Sequence, residues 1–180
     1  MDIPLKVIHD NVNTCTKCPL CETRIHAVPG RGNVYAKIMI VGEAPGKTED
    51  KIGKPFVRQS GKILDDVINN SGLTELVYIT NIVKCRPPKN RVPLAEEQTA
   101  CNTHLDAEMK LINPQIICLL GNTAYNSLLG GTDITKNRGK VQIFNNQKYF
   151  PTFHPAAVIY NQKLRPLLQK DFETIAGLIV

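Results

Sequence analysis

The chain has 180 residues, 42% of them hydrophobic and 21% charged, which reads as one soluble globular domain spanning residues 1–180 around a single sizeable core. Its purely apolar runs are short, as in "IICLL" at 116–120, against ~20 residues for a membrane span, and no charged n-region precedes an apolar stretch; a membrane partner and secretion are excluded, and a cytoplasmic location is expected. The net charge of +6 and pI of about 9.0 suit a chain that meets nucleic acid, because neutralising phosphates releases counterions, although a small positive balance also serves solubility.

Apolar spacing at Leu5, Ile8 and Val12 predicts a short helix over 3–12 that leads into "CTKCPLC". "PGRGNVYA" reads as a loop, and "KIMIVG" at 37–42 as a buried strand broken by "EAPG". Ile63, Leu64, Val67 and Ile68 form a helical face that "NNSG" ends. "VYITNIV" at 77–83 is a second strand, and the three prolines of "RPPKNRVP" forbid regular structure after it. A helix over 94–112 presents Leu94, Cys101, Leu105, Met109 and Ile112, and "QIICLLG" at 115–121 is a third strand. Asn122 is expected to cap a short helix closed by Gly130 and Gly131. "KYFPTFHP" at 148–155 is a fourth strand running into a Pro-broken loop, and a last helix over roughly 165–178 has Leu167, Leu168, Phe172 and Ile175 on one face.

Strands alternating with helices define an α/β fold with a central, mostly parallel four-stranded sheet flanked by helices. In such sheets ligands bind beyond the carboxyl ends of the strands. "GEAPG", the basic loop after "TN", and "HPAA" all lie at or just past a strand's end, so three separated segments are expected to meet at one crevice. Lys84, Arg86, Lys89 and Arg91 fall within eight residues with no acid among them, a local basic patch suited to a nucleic-acid backbone.

Six cysteines are present: Cys15, Cys18, Cys21, Cys85, Cys101 and Cys118. Cys118 sits inside an apolar strand and reads as a small buried hydrophobe. Disulfides are uncommon in a cytoplasmic protein, hyperthermophiles excepted. A C-x2-C hook with two distant thiols can close a four-thiolate site for zinc or an iron–sulfur cluster. Spacing chooses neither the metal nor four ligands among five thiols, and a set of reduced, unligated cysteines is the plain alternative.

Five segments in fixed order carry a family resemblance: "CTKCPLCETR", "VGEAPGKTED", "GKPFVRQSGKILD", "YITNIVKCRPPKNRVP" and "HPAAV". They are similar to those of the family 4 uracil-DNA glycosylases, iron–sulfur enzymes of thermophilic archaea and bacteria, and they span Cys15 to Val158. The resemblance implies a three-layer α/β/α fold and a monomeric, monofunctional hydrolase. Its partner would be uracil-containing DNA, whose N-glycosidic bond it cuts to leave an abasic site in base excision repair. It also implies one four-iron four-sulfur (4Fe–4S) cluster on Cys15, Cys18, Cys85 and Cys101, with Cys21 standing where the family needs no ligand.

The resemblance assigns roles that the chemistry of each residue type supports. Phe56 falls at the position that stacks on the flipped base. Asn81 is placed to read uracil, since one carboxamide accepts from N3–H while donating to O4. His154 is placed to donate to O2 as charge develops on the departing base. Gly42, Glu43 and Ala44 border the base, and Glu43 either orients the attacking water or stabilises the cationic sugar. Asn90 is a candidate for sharing in water positioning, and Lys84, Arg86, Lys89 and Arg91 for the DNA backbone. Val158 and Ile159, on the expected loop, are candidates for an apolar wedge that fills the space of the flipped base. Tyr160 stands where the family often has arginine. The rival class is a non-catalytic, metal-stapled nucleic-acid-binding module; Glu43, Asn81 and His154 speak against it, because binding alone needs only the basic loop.

Overall fold

The structure, a computed structural model, describes residues 3–179. In chain order it runs α1 (Ile3–Asn13), α2 (Leu20–Thr23), β1 (Arg31–Gly32), β2 (Ile38–Gly42), α3 (Lys47–Ile52), α4 (Gln59–Asn70), β3 (Val77–Asn81) and α5 (Ala95–Ile112). It continues through β4 (Ile116–Leu120), α6 (Gly121–Leu129), α7 (Ile134–Asn137), β5 (Gln142–Phe144), β6 (Gln147–Thr152), α8 (Pro155–Tyr160) and α9 (Arg165–Gly177).

The described strands form one sheet in the order β1-β3-β2-β4-β6-β5. Its inner strands, β3, β2, β4 and β6, are mutually parallel, with Gly42 opposite Asn81 and Leu120 opposite Thr152 at their carboxyl ends. These are the four strands the sequence predicts. The edges β1 and β5 are short and antiparallel. β1 arises inside the expected loop, and β5 turns into β6 at Asn145 and Asn146, both in the left-handed region that asparagine tolerates.

Side chains alternate across the sheet with the strand period of two. Met39, Val41, Tyr78, Ile117, Leu119 and Tyr149 pack on one face with Leu5, Val12, Leu105, Ile112 and Tyr125 from α1, α5 and α6. Ile38, Ile40, Val77, Ile79, Ile116, Cys118 and Phe150 pack on the other with Leu64, Val67, Leu168, Phe172 and Ile175 from α4 and α9. The result is the three-layer α/β/α arrangement. Cys118 is a buried apolar side chain, as expected.

Two local expectations give way. Asn122 does not cap α6: the helix starts at Gly121, and Asn122 Oδ1 instead accepts from the Ile134 N–H at 2.8 Å. The segment after His154 is helix α8 rather than a loop, because Pro155 at its first position has no N–H to leave unpaired. Val158 is thereby turned into the core at 0% exposure, and Ile159 packs partly against the same cluster. Val158 is therefore no wedge; the exposed side chain of this segment is Tyr160.

The basic loop gives the largest correction. Lys84 is 1% exposed and paired with Glu108, itself 0% exposed, at 2.6 Å. Its ammonium also donates to Thr80 Oγ1 at 2.5 Å and to the Asn81 carbonyl at 2.8 Å, using all three donors. Glu108 further accepts from Tyr78 Oη, Thr80 Oγ1 and the Gly30 N–H. Lys84 is thus unavailable to DNA. Breaking a buried pair leaves an uncompensated charge, so Lys84→Met should lower stability in urea unfolding by about 3–5 kcal/mol, and adding Glu108→Leu should recover part of the loss. A Lys84→Met protein as stable as the parent would show that the charge of Glu108 is relieved by solvent.

Candidate active site

Asn81 ends β3 directly opposite Gly42, the last residue of β2. The carboxamide is 2% exposed, and its Oδ1 is a buried acceptor with no partner among the described residues. A Cβ on Gly42 would lie 2.5 Å from that Oδ1 and 2.6 Å from Phe56 Cζ, closer than packed atoms approach. The absence of a side chain at Gly42 therefore lets an unsatisfied amide oxygen and an aromatic ring converge on the end of β2. Such an oxygen costs about 1–3 kcal/mol unless something donates to it.

Phe56 is 7% exposed and has φ of 53°, a conformation rare for a bulky residue that persists only where its surroundings impose it. The surroundings are visible. Val57 N–H donates to Glu49 Oε1 at 3.0 Å, and Arg31 Nε donates to the Pro55 carbonyl at 3.1 Å. Gly61 presses on the Phe56 backbone so closely that a Cβ would meet its carbonyl oxygen at 2.1 Å. Glu49 is buried and spent on holding this loop.

His154 follows β6 and caps α8, its ring 5.7 Å from that of Phe56 with 30° between their planes. The Ala156 N–H donates to its Nδ1 at 3.1 Å. An amide N–H can only donate, so Nδ1 carries no proton and the neutral ring holds its hydrogen on Nε2. Burial lowers the imidazole from its ordinary value to about 4. The group is a neutral N–H donor at neutral pH. Gly121, at φ of 84°, lies beneath it, where a Cβ would come within 3.1 Å of His154 Cβ.

Glu43 is half-buried, and its Oε2 accepts a short hydrogen bond from Thr123 Oγ1 at the start of α6. The Val83 N–H donates to the Glu43 carbonyl at 3.3 Å and the Ile82 N–H to that of Gly42 at 2.9 Å, which ties the "GEAPG" turn to the segment after β3. Ala44 packs partly into the core beside it. Thr123 is absent from the sequence reading; only the fold brings it to Glu43. Asn90 is exposed, and its Oδ1 accepts from Arg86 Nε at 2.7 Å; among the described residues no hydrogen bond joins it to Glu43. Arg91 is held by both oxygens of Glu97, at 2.6 and 2.8 Å. Lys89 is exposed and Arg86 partly so.

On the opposite side of Lys84, five thiols face one another. Cys15, Cys18, Cys21, Cys85 and Cys101 line one small cavity together with Arg24, Lys84 and His104. All are free thiols. Arg24 Nη1 donates to Cys85 Sγ at 3.1 Å, and the Lys84 N–H to Cys101 Sγ at 3.2 Å. Burial pushes the Cys18 and Cys85 thiols up and that of Cys101 up to about 11. Among the described residues no three His, Cys, Asp or Glu side chains close tightly enough to hold a single metal ion. The thiols converge on this one cavity instead. Cys21 lines it with the other four, brought there by α2.

The sequence matches the Uracil DNA glycosylase superfamily over residues 29–176. It is 46% identical to the Type-4 uracil-DNA glycosylase of Sulfurisphaera tokodaii, covering 98% of this chain and 85% of that protein. Identity to the Type-4 enzyme of Thermotoga maritima is 41%, over 97% and 94% of the two chains, and to that of Saccharolobus solfataricus 45%, over 95% and 84%. The chain belongs to the uracil-DNA glycosylase superfamily.

The protonation state of His154 is directly measurable. Its folded pKa lies below the unfolded value, so the stability it contributes is present above about pH 6.5 and is lost as pH falls toward 4. An NMR titration of the free protein should place its midpoint near 4. A midpoint at the ordinary histidine value would remove the buried, neutral assignment.

Proposed function

We propose that the chain is a monofunctional uracil-DNA N-glycosylase of the type-4 kind, acting as a cytoplasmic monomer in base excision repair. The observation that carries this reading is the unpartnered Asn81 Oδ1 beside Gly42 and Phe56. Uracil presents an N3–H there, and cytosine presents an acceptor that would repel it. No described helix is long and apolar enough to cross a membrane.

In this reading the flipped uracil lies on Phe56, is read by Asn81, and abuts Gly42 and the Glu43–Ala44 turn. The C1′–N1 bond breaks toward a cationic sugar and an anionic base. His154 Nε2–H donates to O2 and stabilises that anion without losing its proton. Glu43, steadied by Thr123, faces the cationic sugar and the incoming water, whose oxygen bonds to C1′ while its proton ends on the departing base. Contact with the DNA backbone narrows to Arg86 and Lys89, because Lys84 is buried and Arg91 is neutralised by Glu97. The wedge passes from Val158 to the exposed Tyr160 at the end of α8.

The thiol cavity fits a 4Fe–4S cluster held by Cys15, Cys18, Cys85 and Cys101. The donor set is soft thiolate, and five thiols converge on one cavity without three of them closing on a single-ion site among the described residues, which favours a polyatomic cluster over one zinc ion. When bound, the cluster supplies a covalent link between the N-terminal hook, the loop after β3 and α5.

A duplex with a single U, incubated with the protein and then treated with alkali, should break at that position. His154→Ala should slow single-turnover cleavage by roughly 10²–10³-fold, as for a lost oxyanion donor, with DNA binding little changed. An intact duplex after incubation with wild-type protein would overturn the activity. After anaerobic purification, Cys85→Ser and Cys101→Ser should lose iron and visible absorbance, while Cys21→Ser keeps both. Stoichiometric zinc in the wild-type protein would overturn the cluster, and a colourless Cys21→Ser protein the ligand set.

A further inference from the structure

His104 has no part in the chemistry described so far. It lies one turn beyond Cys101 on α5, lines the thiol cavity with Cys15, Cys18 and Cys101, and is 7% exposed. Its Nε2 is buried without a hydrogen-bond partner among the described residues. Folded chains leave few such atoms, because each forfeits its hydration without compensation. Two other donors at the cavity already point at sulfur: Arg24 at Cys85 and the Lys84 N–H at Cys101. His104 also lines the adjoining surface groove with Cys15 and Lys17, so its ring stands between the cavity and solvent.

We infer that His104 Nε2–H donates a hydrogen bond to a sulfur of the cluster in this cavity, making it a positioning and shielding residue for the cofactor; the inference rests on the cluster reading given above. Five thiols already exceed the four ligands such a cluster takes, so the imidazole is not needed as a ligand. A donor aimed at cluster sulfur withdraws negative charge, favours the reduced state and so raises the reduction potential. The same ring limits the approach of water and chelators from the groove.

The test compares anaerobically purified wild-type protein with His104→Phe, which keeps the ring's bulk, and His104→Gln, which keeps an N–H donor. All three should carry the same iron per chain. His104→Phe should show a more negative midpoint potential, and its visible absorbance should be lost to a chelator about tenfold faster, the lower end of the effect of outer-shell partners on metal affinity. His104→Gln should return both quantities toward wild type. If far-UV circular dichroism shows His104→Phe unfolded, His104→Leu serves in its place. An unchanged potential and bleaching rate in the folded variant would overturn the inference. Loss of one iron per cluster would overturn it as well, by making His104 a ligand. Wild-type protein without iron would instead bring down the cluster reading itself, and this inference with it.

Discussion

The buried pair of Lys84 and Glu108 connects the parts of this molecule that matter for its chemistry. Two charges shielded from water interact strongly but lose their hydration, and the balance is favourable only when their remaining hydrogen-bonding capacity is met. Here it is met by the site's own framework. Lys84 donates to the Asn81 carbonyl, and Glu108 takes the hydroxyls of Tyr78 and Thr80 and the N–H of Gly30. The pair therefore fixes the carboxyl end of β3 against α5 on one side and the approach to β1 on the other. A hydrophobic pair of similar volume would fill the space without determining where the Asn81 backbone lies.

Around that anchor the site is assembled from the carboxyl ends of the four parallel strands. β2 contributes Gly42 and Glu43, β3 Asn81, β4 leads through Gly121 to Thr123, and β6 leads to His154. No two of these segments are neighbours in sequence, yet the parallel register sets Gly42 beside Asn81 with no further device. Phe56 differs, because it comes from a loop. Its strained backbone is held by Arg31, Glu49 and Gly61, three contacts that compensate for the missing support of a strand.

Much of this arrangement was legible before any coordinates. Apolar runs of strand length located all four inner strands, and the rule that ligands bind beyond their carboxyl ends placed the crevice. Motif resemblance then located Asn81, Phe56 and His154. What failed did so for identifiable reasons. The run from Lys84 to Arg91 contains no acid, but its partners Glu97 and Glu108 lie on the following helix, and a local count of charge cannot see across a turn. Val158 was assigned to a loop because of Pro155, although proline at a first helical position begins a helix as readily as it breaks a strand. Thr123 and His104 carry no motif and acquire meaning only from what stands opposite them.

The short distance along the chain between the thiol cavity and the Asn81 amide has a consequence for what the proposed cluster would do. Asn81, Lys84 and Cys85 fall within five consecutive positions, and the backbone N–H of Lys84 donates to Cys101 while its side chain donates to the Asn81 carbonyl. A thiolate bond at Cys85 would therefore restrain the residue that restrains Asn81. Beyond Asn81 the Ile82 N–H to Gly42 and Val83 N–H to Glu43 bonds still tie the chain to β2. Discrimination by a carboxamide requires its oxygen and nitrogen to stay in one orientation. A tether at Cys85 would extend that restraint along the same loop, so a cluster held there, as proposed, would bear on base selection through the backbone.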